Sequence, residues 1–187
     1  RGVRAYWVYM LVDNWGNAPL VTDFGSTDLP SMKNRAELFQ FVVDELNEIK
    51  DFEGNIVVLP EKFYYMTCHR QENTDTDEKL DGIFSAMESL SLPTVYPVHP
   101  RNHDRAERLC KAKGYQNIIL TLPVGYKTSI SLVNKAEKIV TDSGGVQREA
   151  FFAGKPCVTV LDFVVWPETM QDGCNVLAKP EKEDILS

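Results

Sequence analysis

The 187-residue chain has only three histidines and four cysteines, and Cys68, Cys110, Cys157 and Cys174 stand far apart with no CxxC pair. That spacing argues against a zinc site, so no metal is expected. Reduced, buried thiols are the expectation instead, as in a cytoplasmic protein. No apolar run approaches the span of a bilayer and no signal-peptide pattern opens the sequence, so no membrane partner is expected and a cytoplasmic location is. Positive charge is in deficit too. A net charge of −7 argues against binding nucleic acid or an anionic membrane surface, because no basic field would draw in phosphate polymers. A single anionic ligand held by a local site remains compatible with that charge. Internal repeats and low-complexity tracts are lacking. What remains is ordinary globular composition, 43% hydrophobic and 25% charged. The length suits one large α/β domain, or one domain with a piece of another. The sequence starts at Arg1 and stops at PEKEDILS as a helix begins, so a part of a longer protein is expected.

The first thirty residues carry the weakest signals. YWVYMLV (6–12) has the composition of a strand, and DNWGNAPLVTDFGSTDLP (13–30) is rich in turn formers and reads as loop or linker. Asn34 then offers an N-cap, with Leu38, Phe39, Val42, Leu46 and Ile49 at helical spacing, predicting a helix over 34–49. NIVVLP (55–60) fits either state. From KFYYMTC (62–68) onward the alternation is regular. Strands are predicted at 62–68, 94–99, 117–123, 138–143 and 156–162, with NVLAKP (175–180) as a last one. Helices are predicted within DTDEKLDGIFSAMESL, HDRAERLCKAKG, KTSISLVNKAE and GVQREAFFAG, the second of them closed by Gly114. Short apolar strands alternating with helices imply a doubly wound parallel sheet covered on both faces. Residues 1–50 are assigned to a linker and helical segment, the tail of a preceding domain, and 51–187 to the sheet domain.

In open parallel sheets ligands lie beyond the carboxyl ends of the strands. The residues just after each strand are therefore the ones to weigh. They are His69-Arg70-Gln71-Glu72-Asn73, His99-Pro100-Arg101-Asn102, Pro123 with Gly125 and Tyr126, Asp142-Ser143-Gly144-Gly145, and Asp162 with Trp166 and Glu168. Two of the three histidines and two arginines fall at this edge of an acidic protein, which points to an anion. The stretch TDSGGVQREAFFAGKP (141–156) carries the strongest local signal. Each glycine costs about 1 kcal/mol in a helix relative to alanine, yet two stand where a strand becomes a helix. Without a Cβ the backbone can turn sharply and approach a ligand. The amides of the first helical turn and the helix dipole then favour a phosphate. Ser143 adds a hydroxyl, and Glu149, further along the helix, can accept from the vicinal hydroxyls of a ribose. Each feature also has a plain reading. SGG can be an N-cap with a tight turn, Asp142 a helix cap and Trp166 core. Their convergence on one edge favours a diphosphate-sugar cradle.

HRQEN (69–73), PVHPRN (97–102), TLPVGY (121–126) and above all TDSGGVQREAFFAGKPC (141–157) resemble the non-hydrolysing UDP-N-acetylglucosamine 2-epimerases, over about residues 62–180. Trp166 and Glu168-Thr169 followed by GCNVLAKP are similar to the subgroup acting on acidic or modified UDP-sugars. The resemblance implies a Rossmann-like domain forming the C-terminal, UDP-binding half of a GT-B-like two-domain fold. It also implies a cytoplasmic isomerase supplying surface-polysaccharide precursors, commonly a homodimer, with no metal or nicotinamide cofactor. Carried over by position, it implies that Ser143, Gly144 and Gly145 hold the diphosphate and Glu149 the ribose hydroxyls. His69 then has a supporting catalytic role near the diphosphate and reacting sugar, with Glu168 near the interdomain cleft. Arg70 and His99 line the cleft, and Tyr126 belongs to the substrate-binding set.

The resemblance further implies that the acidic proton-transfer groups come largely from the N-terminal half, so the chain alone is expected to bind UDP without turnover. There are departures. The family's Arg-Asp-x-Thr-x-Arg/Trp pattern is here Leu161-Asp162-Phe163-Val164-Val165-Trp166, so a cleft arginine and a threonine are replaced by apolar residues. An aromatic expected a few residues after Tyr126 is Ser129, and the Gly-Asp/Asn turn expected near residue 8 is absent. A GT-B glycosyltransferase using the same UDP cradle and a non-catalytic UDP-sugar-binding module are the competing expectations.

Overall fold

The computed structural model describes residues 2–20 and 29–187; of the stretch read as loop or linker at 13–30, residues 21–28 lie outside them and 13–15 are helical. The chain divides into two compact units, one up to Glu48 and one from Ile49 to Ser187.

In the first unit, helix α1 (Gly2–Trp15) and helix α2 (Arg35–Asn47) accompany a small antiparallel pair, β1 (Ala18–Pro19) and β2 (Met32–Lys33). The expected strand at 6–12 is thus helical. A seven-residue apolar run has no period that separates the two states. What decides is that Val8 and Val12, one helical turn apart, are both buried in one cluster with Leu38. The helix predicted at 34–49 is present and begins with a reciprocal cap. The Glu37 amide donates to Asn34 Oδ1 at 3.0 Å, and the Asn34 amide donates to Glu37 Oε2 at 2.9 Å. Its predicted apolar stripe holds only in part, since Leu38 is buried while Phe39 is exposed.

The second unit opens irregularly, NIVVLP contributing a single bridge between Lys50 and Ile56. The alternation then follows. In chain order the elements are β3 (Tyr64–Thr67), the short α3 (Gln71–Thr74), α4 (Asp77–Glu88), β4 (Thr94–Pro97), α5 (His103–Lys113) and β5 (Ile118–Thr121). After these come α6 (Tyr126–Lys135), β6 (Ile139–Thr141), α7 (Gly144–Phe152), β7 (Cys157–Val160), β8 (Asn175–Ala178) and α8 (Lys182–Leu186). Two 3-10 turns, Pro100–Asn102 and Pro167–Gly173, had no signature in the sequence beyond the proline that starts each. Gly114 closes α5 in the left-handed conformation, φ 72°, as its position predicts.

All six long-range strands are parallel, in the order β5-β4-β3-β6-β7-β8. This is a doubly wound order, the class of sheet that the alternation predicts, in which the chain leaves the sheet centre in opposite directions from β3 and from β6. Period-two alternation fills both faces. Met66, Tyr96 and Val140 join the apolar faces of α4 and α5 on one side, and Tyr65, Val95 and Ile139 join Leu132, Val133 and Ala150 on the other. Cys68, Cys110 and Cys157 are buried, as expected, and Cys174 is exposed. Burial pushes the Cys110 thiol up to about 11 and the Cys157 thiol to about 12. Among the described residues, no helix is long and apolar enough to cross a membrane.

Candidate nucleotide-sugar site at the switch point

Where β3 and β6 lie side by side, the chain leaves the sheet centre in opposite directions, the place at which open parallel sheets bind their ligands. The loop after β3 carries His69 and Arg70, and the turn after β6 carries Asp142, Ser143 and Gly144. One buried carboxylate ties the two together. Asp142 Oδ2 accepts from the backbone amides of His69 at 2.9 Å and Arg70 at 2.8 Å, and Oδ1 lies 3.2 Å from His69 Nδ1. Asn73 donates to the same carboxylate at 3.4 Å and to the Val160 carbonyl at 2.8 Å, extending the tie to β7. Asp142 is therefore more than the helix cap its position permits. Burial, then the negative charge of Asp142, pushes the nearby Cys68 thiol well up.

The second histidine arrives from β4. His99 caps the 3-10 turn, its Nδ1 accepting from the Arg101 amide at 3.2 Å, and its ring stacks with the His69 ring at 6.4 Å between centroids. Arg101 sends its guanidinium to the His69 carbonyl. The Cys68 carbonyl just before accepts the Tyr96 hydroxyl at 2.7 Å. His69 thus sits on a backbone held from three sides while its own ring remains half-exposed.

Helix α7 begins at the same place. Ser143 is its N-cap, Oγ accepting from the Val146 amide at 3.4 Å, and its own amide is fixed to Thr141 Oγ1 at 2.9 Å. The helix start leaves the amides of Gly144 and Gly145 without intrahelical acceptors. The two glycines differ. A Cβ on Gly144 would stand 2.9 Å from Val165 Cγ1 and 3.1 Å from Trp166 Nε1, whereas one on Gly145 would meet only Ser143 Oγ at 3.6 Å. Gly144 is small because the 165–166 segment packs on it; close ligand approach is left to Gly145. That segment is itself anchored. Buried Gln147 donates from α7 to Thr169 Oγ1 at 2.7 Å, and Thr169 donates to the Trp166 carbonyl at 2.8 Å. Arg148 lies 4.5 Å over the Trp166 ring, and Arg70 lies 5.5 Å from the Phe163 ring centre. Val165 and Trp166 therefore form a wall beside the helix start, next to the positions where Leu161 and Val164 replace the family's arginine and threonine.

On its other side α7 presents Glu149, with the Tyr126 side chain close by. Burial raises the Glu149 carboxyl above its ordinary value, and Tyr126 partly offsets this. Ser129, found where an aromatic was expected, bonds the buried Tyr65 hydroxyl at 2.9 Å. Of the expected residues, His69, Arg70 and His99 form one cluster, Ser143, Gly144 and Gly145 the helix start, and Tyr126 with Glu149 a third group. Glu168 lies on the exposed first turn of the second 3-10 helix, and no hydrogen bond or ion pair among the described residues joins it to the other three groups. Asp142, Asn73 and Arg101 lie among the residues that follow the strands but had no expected role at the site, and Gln147, inside the same motif, was not singled out.

The family model described as UDP-N-acetylglucosamine 2-epimerase matches residues 14–187. The chain belongs to that family. A homologue of these epimerases from Methanococcus maripaludis is 43% identical over 148 residues, covering 78% of this chain and 39% of its own length. A Pseudomonas aeruginosa UDP-2,3-diacetamido-2,3-dideoxy-D-glucuronate 2-epimerase is 42% identical, covering 66% of this chain and 35% of its own. Among solved structures, the epimerase of Methanocaldococcus jannaschii in complex with UDP-GlcNAc and UDP is similar with a TM-score of 0.60 and 36% identity, over 67% of this chain and 37% of that one. The chain thus spans about two fifths of the length of the family members it matches. The fold class expected from the sequence, a Rossmann-like half of such an enzyme, is the one found.

Proposed function

We propose that this chain is the UDP-binding part of a non-hydrolysing UDP-N-acetylglucosamine 2-epimerase, an isomerase that inverts C2 of a UDP-HexNAc. The observation that carries the reading is the meeting of the α7 start, Ser143 to Gly145, with the His69 loop at the switch point of the sheet. There the unpaired amides of Gly144 and Gly145, the Ser143 hydroxyl and the helix dipole receive the diphosphate. Glu149 accepts from the ribose hydroxyls, with Tyr126 beside it. Arg70 and His99 line the cleft, and His69 faces the diphosphate and reacting sugar. Glu168 belongs to the interdomain side of that cleft.

The chemistry follows from the leaving group. A base takes the C2 proton, the C1–O bond breaks with its electron pair going to the UDP oxygen, and a C1=C2 double bond forms. Re-addition of UDP at C1 with protonation of C2 from the other face inverts that centre. Charge grows on the diphosphate as the bond breaks, so pre-oriented amides and cations there stabilise the transition state. The carboxylates that move the proton belong to the other half of the enzyme, so this chain alone binds UDP and does not turn over. The complete protein is a cytoplasmic homodimer supplying a precursor of surface polysaccharide.

One feature favours a second reading, a UDP-sugar-binding module without catalysis: Leu161 and Val164 stand where the resemblance puts a cleft arginine and a threonine, and Val165 crowds Gly144. Incubating the full-length protein with UDP-N-acetylglucosamine in deuterated water decides between them. Deuterium at C2 of recovered UDP-sugar is the expected outcome. Binding without exchange would leave the module, and transfer of sugar to an acceptor with C2 protium retained would mean a glycosyltransferase. For the chain itself, Glu149→Ala is expected to weaken UDP binding in calorimetry by about 1–3 kcal/mol, roughly 5- to 150-fold in Kd. An unchanged Kd would remove Glu149 from the site.

A further inference from the structure

We propose that Gln147 is a positioning residue of the nucleotide site, which holds Trp166 against the start of α7 through Thr169 and so fixes the wall beside the diphosphate. This rests on the reading of the α7 start as the place where UDP sits.

Gln147 stands between Gly145 and Glu149 in the sequence, yet its side chain is fully buried. A buried amide costs free energy unless its hydrogen bonds are made, so its partners define its role. The Gln147 backbone N–H donates to the Ser143 carbonyl at 2.9 Å and closes the first turn of α7. The side-chain NH2 donates to Thr169 Oγ1 at 2.7 Å. The Thr169 hydroxyl has a single hydrogen, which goes to the Trp166 carbonyl at 2.8 Å, so toward Gln147 this oxygen can only accept. That fixes which end of the amide faces Thr169. The Gln147 carbonyl oxygen meets no donor among the described residues. An apolar side chain of the same length would fill the space without that orphan. The tie to Thr169 is what the amide supplies.

What the tie holds in place is the indole of Trp166. The Trp166 carbonyl receives the Thr169 hydroxyl at 2.8 Å and the Thr169 amide at 3.1 Å. Asn175 donates to the Thr169 carbonyl at 3.0 Å and anchors the same residue to β8. From this backbone the ring lies along the first turn of α7. Its pyrrole edge, Nε1 and Cδ1, is the part nearest Gly144, and the Arg148 guanidinium, one turn further on, stacks over the ring at 4.5 Å. A wall already in place when the ligand arrives needs no ordering on binding, which would otherwise weaken affinity. Gln147 thus closes the diphosphate helix with its backbone and sets the neighbouring wall with its side chain.

Gln147→Met tests this, because methionine has a similar length, fills buried gaps and donates nothing. The Thr169 hydroxyl keeps its bond to Trp166, so no buried donor is orphaned. The thermal midpoint is therefore expected to stay within about 4 °C of the parent's, a small change for a chain of this size. The Kd for UDP, measured by calorimetry, is expected to rise about 3- to 30-fold, the range over which contacting residues couple. The Trp166 indole N–H is read by 15N–1H correlation after Trp7→Phe and Trp15→Phe remove the other two tryptophans, both exposed in the first unit. Its signal is expected to move at saturating UDP, and to differ in Gln147→Met before ligand is added. A Gln147→Met variant whose Kd stays within about twofold of the parent's would overturn the proposal. A midpoint lower by more than the margin above, or a variant that does not fold, would make Gln147 a packing residue instead. So would an indole signal that UDP leaves unmoved in a chain that keeps Gln147 separate the wall from the ligand and overturn the proposal without recourse to that variant. A parent chain that binds no UDP would refute the functional reading and the proposal together, whereas equal binding by parent and variant removes only the role of Gln147.

Discussion

Replacing Asp142 with alanine is expected to lower folding stability by about 2–5 kcal/mol, the scale for two backbone amides that lose a charged, buried acceptor. The carboxylate is fully buried and accepts from the backbone amides of both His69 and Arg70. Alanine leaves these two N–H groups without an acceptor, at about 1–3 kcal/mol for each that stays dry, and opens a cavity beside Cys68. Asp142→Asn should retain most of the stability, since one oxygen is enough to receive both amides. Urea unfolding of the two variants followed by far-UV circular dichroism measures the difference. A loss for Asp142→Ala below about 1 kcal/mol would mean that water replaces the carboxylate at little cost, and that the loops are held by other contacts.

Gly82→Ala is expected to destabilise the chain even though it lies inside α4, where alanine is intrinsically better by about 1 kcal/mol. A Cβ at this position would overlap the carbonyl oxygen of Pro180 and come 3.5 Å from the Glu181 Cα. The obstacle is backbone, and that backbone is constrained. The Glu181 amide donates to the Lys179 carbonyl at 2.7 Å, and the Glu181 carbonyl receives the first bond of α8 from Ile185 at 3.1 Å. Side chains could rotate away; this turn must shift as a unit, carrying α8 off the core cluster that contains Ile185. Overpacking costs about 1–3 kcal/mol, occasionally more, and a backbone obstacle puts this overlap at the upper end, so a net loss of about 1–2 kcal/mol remains once about 1 kcal/mol of helix propensity is credited. Thermal unfolding provides the check. A variant more stable than the parent would show that the turn and α8 yield freely.

These two positions show what a sequence can and cannot disclose. The strands and helices from residue 62 onward were legible because each is a short apolar run bounded by its own caps and turns. The parallel, doubly wound sheet followed from alternation, but the order of its strands did not. The site was legible as a set of residue types after strands. The tie between its halves was not: Asp142 meets His69 only because β3 and β6 are neighbours, a pairing no local pattern encodes. Gly144 was readable as permissive for a ligand, but its closest neighbours, Val165 and Trp166, come from beyond β7. Residues 6–12 were misread for another reason. There the local signal was weak, a β-like composition with no period, and burial of Val8 and Val12 with Leu38 in a helix decided against it.

The pairing of β3 with β6 also places the site in time. Its two sides, His69 and Asp142, are separated along the chain by two complete strand–helix excursions, so closing them costs more loop entropy than any neighbouring β4 or β5 contact. On an emerging polypeptide, the β3-β4-β5 half can assemble while β6 is still being synthesised. The ligand-facing edge comes into existence only when the second half docks alongside it.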